Sequence, residues 1–216
     1  MTDEEKAAKS LVVNATIKRL IETYADFIEK YPGYDRIPDF FQDHLYSPPN
    51  KEARDAALDS LYEKLKSVTG PEMTENIHQL ILLNKLTDDL DLATAKHLLE
   101  GDLKGKSPEE LESYELSIEQ LNDAVQYVGR FEERKQQMSM VGDSLNFFFS
   151  LSKLPLIKLV MAPIKVAASL VGASELVTTM EAGYNLSRNI KDMKPFVDAF
   201  QEREFALLDR LAAAAK

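Results

Sequence analysis

The chain has 216 residues, 44% hydrophobic and 29% charged, a balance that suits a globular core and not a disordered chain. A formal net charge of −10 repels polyanions, which argues against nucleic-acid binding and favours solubility. With no cysteine, a disulfide framework and thiolate metal or redox chemistry are excluded.

The opening MTDEEKAAKS is acidic, unlike the basic-then-apolar pattern of a secretory signal, so a cytoplasmic location is expected. Helical periodicity then dominates. Val13, Ile17, Leu20, Tyr24, Phe27 and Ile28 give one apolar face and predict a first helix over 3–29, capped by Thr2 or Asp3 and ended by Pro32-Gly33. A short helix is predicted near 38–46 and a third over 51–68, with Ala57, Leu58, Leu61, Leu65 and Val68 as its buried stripe. Thr69-Gly70-Pro71 starts a fourth helix that runs to Glu100 or bends near Thr87. GDLKGKSP, 101–108, reads as the clearest loop. Ser107 and Glu110 carry a capping-box spacing at the start of a long tract over 108–152, breakable at Gly129. Within it RFEERKQQM, 130–138, reads as a solvated, charge-neutralised face. Segments over 174–191 and 195–214 complete the chain, and no strand-length alternation stands out.

The most apolar stretch is LNFFFSLSKLPLIKLVMAPIKVAASLVGA, 145–173. A membrane span needs about 18 apolar residues with few charges. Here Lys153, Lys158 and Lys165 interrupt, Pro155 and Pro163 break regular helix, and the longest uncharged runs are only 144–152 and 166–174, so no transmembrane segment is expected. On a helix, Lys158, Ala162, Lys165, Ser169 and Gly172 fall in one line, which leaves a wide apolar face and predicts a mostly buried helix near 154–171. Two sharper readings stand beside that core reading. No Asp or Glu occurs from 144 to 174, so Lys153, Lys158 and Lys165 form a positive island of the kind a membrane-surface element uses. Phe147, Phe148, Phe149 and Met161 are candidate linings of an apolar ligand pocket. Three successive Phe cannot share one helix face, so at least one must point away from a local core.

Candidate chemistry is sparse. Glu75-Asn76-Ile77-His78 is an E-x-x-H, the spacing used in pairs by carboxylate-bridged metal centres, but only one copy exists; Glu75 and His78 are therefore weak metal candidates. Asp88, Asp89 and Asp91 form an acidic run without the D-D-x-x-D spacing of prenyl-chain enzymes. Nucleotide-loop and nucleophile-elbow motifs are absent, so no catalytic residue and no cofactor is assigned.

YADFIEKYPGYDRIPDFFQDHLYSP, 24–48, resembles the opening of an uncharacterised bacterial all-helical family, a domain of unknown function with an F-F-x-x-x-L-Y-x-P and R-D signature. The matching residues are Phe40, Phe41, Leu45, Tyr46, Pro48, Arg54 and Asp55, after Tyr24, Ala25 and Asp26. Gln42, His44 and Ser47 stand where the signature has Leu, Asp and Gly. LILLNKLTDDLD, YVGRFEERKQQM, Pro163, Gly172 and Arg203-Glu204 resemble further family positions. The resemblance implies an all-helical fold and supplies no catalytic residue. In physical terms Phe40, Phe41, Leu45, Tyr46, Arg54 and Asp55 read as a structural clamp between the first and third helices.

The expectation is therefore a single all-α domain over 1–216, bundle-like, of about seven to nine helices, with 101–108 as the place for any sub-division. The expected function is non-enzymatic: binding a protein partner or forming a homo-oligomer. Carriage of a lipid or other apolar molecule is the alternative, and a metal-dependent helical enzyme the second.

Overall fold

A computed structural model describes residues 1–40, 42–43, 60, 62–64, 66, 70–154, 157–172 and 174–215. Among these there are ten α-helices and no strand: α1 (Asp3–Thr23), α2 (Ala25–Lys30), α3 (Ile37–Phe40), α4 (Pro71–Glu100), α5 (Pro108–Glu112), α6 (Ile118–Val128), α7 (Phe131–Lys153), α8 (Ile157–Val171), α9 (Ser174–Arg188) and α10 (Lys194–Ala214). The count exceeds the expected one because two predicted helices are subdivided. Tyr24 breaks the first, with φ −111° and ψ 12°. The tract over 108–152 is cut at 113–117 as well as at Gly129. Most of the predicted third helix, and Phe41, Leu45, Tyr46, Arg54 and Asp55 of the clamp, lie outside the described residues.

Caps explain several boundaries. Thr2 accepts from the Glu5 N–H while the Glu5 carboxylate accepts from the Thr2 N–H, which satisfies two donors orphaned at the start of α1. Ser107 with Glu110 and Ser117 with Gln120 repeat the arrangement at α5 and α6. Gly129 ends α6 at φ +69°, where a side chain would be strained. α4 runs unbroken for 30 residues. α8 continues through Pro163, giving up one intrahelical hydrogen bond.

The chain forms two compact units. The first comprises Met1–Ala25, Asn84–Ser139 and Phe200–Lys216; the second comprises Asp26–Leu83 and Met140–Ala199. The divisions fall inside α4, α7 and α10 and at the start of α2, and the 101–108 loop lies wholly in the first unit.

In the first unit α1 packs on α5 and α6. Ala8, Leu11, Val12 and Ala15 from α1 share a core with Leu98, Leu121 and Leu211. Leu103 belongs to the same core although it sits in the polar-looking loop; its N–H bonds the Leu98 carbonyl at 2.8 Å, which turns the side chain inward.

In the second unit α9 packs on α8 and α3. An aromatic cluster gathers around Phe196: Phe27 meets it edge-on at 6.2 Å and Tyr34 at 5.5 Å, and the Tyr34 hydroxyl donates to the Asp192 carbonyl at 2.6 Å. Gly33, at φ +97°, brings the chain against the Asn189 carbonyl, and a Cβ there would lie 2.6 Å from that oxygen.

Candidate functional site

Arg19 occupies a position in the apolar row of α1, one turn beyond Ala15. Glu204 occupies one in the row of α10 that contains Phe200, Leu208 and Leu211. The two meet as a bidentate pair, Nη1 to Oε1 at 2.9 Å and Nη2 to Oε2 at 2.7 Å. Tyr24, at the end of α1, donates its hydroxyl to Glu204 Oε1 at 3.0 Å, with the Phe200 carbonyl as a second acceptor at 3.3 Å, and its ring stacks on Phe200 at 5.7 Å. Arg203 donates to the Thr23 carbonyl at 2.6 Å, satisfying an orphan acceptor of the α1 C-terminus, and its guanidinium lies over the Tyr24 ring. Tyr24, Arg203 and Glu204, separated in sequence, are thus parts of one buried network. A reciprocal signal was present in the sequence: one charge of each sign interrupts an apolar row on each of two helices.

This network sets a pH dependence. Burial first, then the Glu204 carboxylate, pushes the Tyr24 hydroxyl above the ordinary tyrosine range. Burial, then Asp192, raises Tyr34 as well. A pKa raised in the folded state means the stabilisation is complete below the unfolded value near 10.0 and is lost as pH rises beyond it. The unfolding free energy measured in urea should therefore fall from about pH 10 upward, by up to ~1.4 kcal/mol per pH unit for Tyr24, with a smaller fall from the part-buried Tyr34 hydroxyl. Tyr24→Phe should flatten its share of that slope and leave the share of Tyr34.

The acidic run and the RFEERKQQM stretch, read separately in the sequence, come together in the same unit. Lys9 pairs with Asp88 at 2.7 Å and Arg130 with Asp89 at 2.7 Å. Arg134 donates to the Thr94 hydroxyl at 2.7 Å, and the Gln137 amide to Thr87 at 2.9 Å. Glu133 and then Asp89 hold the Arg130 guanidinium well above its ordinary value, and Arg130 in turn keeps the Glu133 carboxyl below the usual carboxylate range. Lys135 bonds Asp209 at 2.7 Å. Arg134 and Gln137 are buried, as is Asp91. The expectation of a solvated face over 130–138 is thereby corrected: the first turns of α7 are bonded to α4, and burial of the Arg134 guanidinium is offset in part by its bond to Thr94.

Elsewhere the predicted residues do not converge. Glu75 and His78 approach only to 4.0 Å; His78 stacks on Tyr62 at 4.4 Å, and Glu75 accepts from Gln79 at 2.6 Å. Among the described residues no three His, Asp or Glu side chains gather to hold a metal ion. Phe148 is fully buried, edge-on to Phe40 at 5.8 Å, with its ring on the Cα of Gly183, where a Cβ would sit 2.8 Å from ring carbon. Phe147 and Phe149 are half-buried and Met161 is buried. The three Phe side chains therefore differ in burial, as side chains at successive helix positions must.

Lys153 donates to the Ile190 carbonyl at 3.1 Å and lies over the Phe149 ring. Lys165 pairs with Glu181. The Lys158 side chain lies outside the described residues. No helix among the described residues is long and apolar enough to cross a membrane.

The burial of α8 departs from expectation. Met161, Ile164, Ala167 and Ala168 face inward. Ala162, Lys165 and Ser169 are exposed as their row predicts, but so are Val166 at 61% and Leu170 at 69%. Among the described side chains of α8 a single stripe is covered, and Val166 and Leu170 on the opposite side face solvent. Leu154 just before it is also exposed.

No curated protein and no solved structure matches the chain. A family model spans it almost throughout, over residues 3–216, in keeping with the resemblance to an uncharacterised domain. The chain accordingly belongs to the family described as Domain of unknown function (DUF8198).

Proposed function

We propose that the protein is a non-enzymatic binding module that engages another protein chain, its own kind included. One observation carries this: α8 leaves Val166 and Leu170 in water although the helix is apolar. Scattered exposed aliphatics are ordinary, but two on adjacent turns of one face form a patch that gains by being covered. The polar groups that could do chemistry point the same way. Asp88, Asp89, Arg130, Arg134 and Glu204 are engaged with partners inside the protein.

A photo-activated crosslinking residue at position 166, irradiated in living cells, tests the reading. A discrete adduct to a protein, lost when Leu170→Glu is added, is the expected result. No adduct at any expression level would overturn it. Extra mass on the native protein that disappears on denaturation, with organic extraction yielding a stoichiometric lipid, would instead assign an apolar carrier.

A further inference from the structure

Among the described residues Arg130 is the one non-glycine residue with a positive φ, +55°. It sits with Gly129, at φ +69°, in the two-residue joint between α6 and α7. Glycine takes that conformation freely, whereas an L side chain there crowds the following carbonyl and is disfavoured by about a factor of ten. The Arg130 carbonyl accepts from the Arg134 N–H at 3.0 Å, so the residue is also the N-cap of α7. The caps at Thr2, Ser107 and Ser117 have φ between −72° and −77° and hold their helices with a side-chain oxygen. Arginine has no acceptor to offer. Neither backbone preference nor capping accounts for Arg130; its side chain does.

We propose that Arg130 is an ionic latch on a strained joint: the grip of Asp89 and Glu133 on its guanidinium holds its backbone left-handed, and the joint opens when dissolved ions loosen that grip. Its Nε donates to Glu133 Oε1 at 2.7 Å, its Nη2 bonds the other Glu133 oxygen, and the same Nη2 pairs with Asp89 of α4 at 2.7 Å. Solvent reaches these bonds. The Asp89 side chain is 61% exposed and that of Glu133 44%, so salt screens both pairs. The next bonds along α7, from Arg134 to Thr94 and from Gln137 to Thr87, have neutral acceptors, and Arg134 and Gln137 are buried. The contact between α7 and α4 therefore has one strained, screened end and one sealed end, and the strained end opens first. Ionic strength is thereby converted into freedom of the α6–α7 joint.

Amide hydrogen exchange followed by NMR on the full chain tests the latch. Between ~0.01 and ~1 M KCl the Debye length shrinks from about 30 Å to about 3 Å. Over that range the Arg134 amide, bonded to the Arg130 carbonyl, and the Gly129 amide, bonded to the Val125 carbonyl, should lose about three- to tenfold of their protection. The Leu121 amide, bonded to the Ser117 carbonyl behind a neutral cap, should not change. Arg130→Ala loses the grip but keeps the left-handed backbone, so both amides should be least protected there and indifferent to salt. Arg130→Gly removes grip and strain together. It should be protected at least about threefold better than Arg130→Ala, again without salt dependence. Circular dichroism and the Leu121 amide check that each variant folds, and the wild-type titration stands whether or not they do. Wild-type protection that ignores salt would overturn the proposal. So would a salt response as large at Leu121 as at Arg134, since a general effect of salt needs no latch. Arg130→Gly no better protected than Arg130→Ala would remove the strain and with it the latch.

Discussion

Glu204→Ala should destabilise the protein by about 3–5 kcal/mol, the usual cost of removing one partner from a buried ion pair. The Glu204 side chain is 3% exposed and that of Arg19 12%, so the guanidinium left behind cannot reach water without opening the helix contact. The Tyr24 hydroxyl also loses its nearer acceptor, at 3.0 Å, and keeps the Phe200 carbonyl at 3.3 Å. In a chain of this size each kcal/mol moves the melting temperature by about 2–4 °C, so a fall on the order of 10 °C is expected. Glu204→Gln preserves the shape and the tyrosine bond but not the charge, and should recover only part of the loss. Arg19→Met combined with Glu204→Leu removes both charges and should be far milder than the single Glu204→Ala change, since apolar replacement of a whole buried pair is often near neutral. A cost below ~1 kcal/mol for Glu204→Ala would mean that the pair is wetter than its burial indicates.

Gly33→Ala should cost about 2–4 kcal/mol, from a strained φ and from overpacking acting together. The added Cβ would meet the Asn189 carbonyl oxygen at 2.6 Å, and a backbone atom cannot swing aside as a side-chain tip can. Gly105 supplies the control. Its φ is +78°, yet nothing lies within 4 Å of its would-be Cβ, so Gly105→Ala carries the conformational penalty alone. The difference between the two urea midpoints isolates the clash. Equal costs would show that the segment at Gly33 can move away from Asn189.

Helix ends proved readable where the signal is local. The cap at Thr2, the box at Ser107 and the break at Gly129 each depend on residues within one or two turns of each other, whereas the sequence leaves α4 open between an unbroken run and a bend near Thr87, and the helix runs unbroken. Failures occurred where distant contacts decide. Tyr24 interrupts a continuous apolar stripe because its ring and hydroxyl are held by α10, which no window around it reveals. Leu103 is buried inside a stretch whose composition reads as loop. On α8 the apolar pattern specifies how much surface could be covered, but how much is covered depends on how many neighbours arrive, and α9 covers one side. The charged positions behave likewise. Asp88, Asp89 and Arg130 look like solvated charge until their partners are placed opposite them.

The bond between Arg19 and Glu204 joins residues 185 apart in the chain. During synthesis, at ~5–20 residues per second, α1 emerges roughly ten to forty seconds before the carboxylate that neutralises its arginine. For that interval an amphipathic helix carries an arginine in its apolar row without the Glu204 carboxylate that will grip it. Closing the first unit is therefore a late event, and a nascent chain stalled just short of Glu204 would hold every earlier segment of that unit yet be unable to seal it.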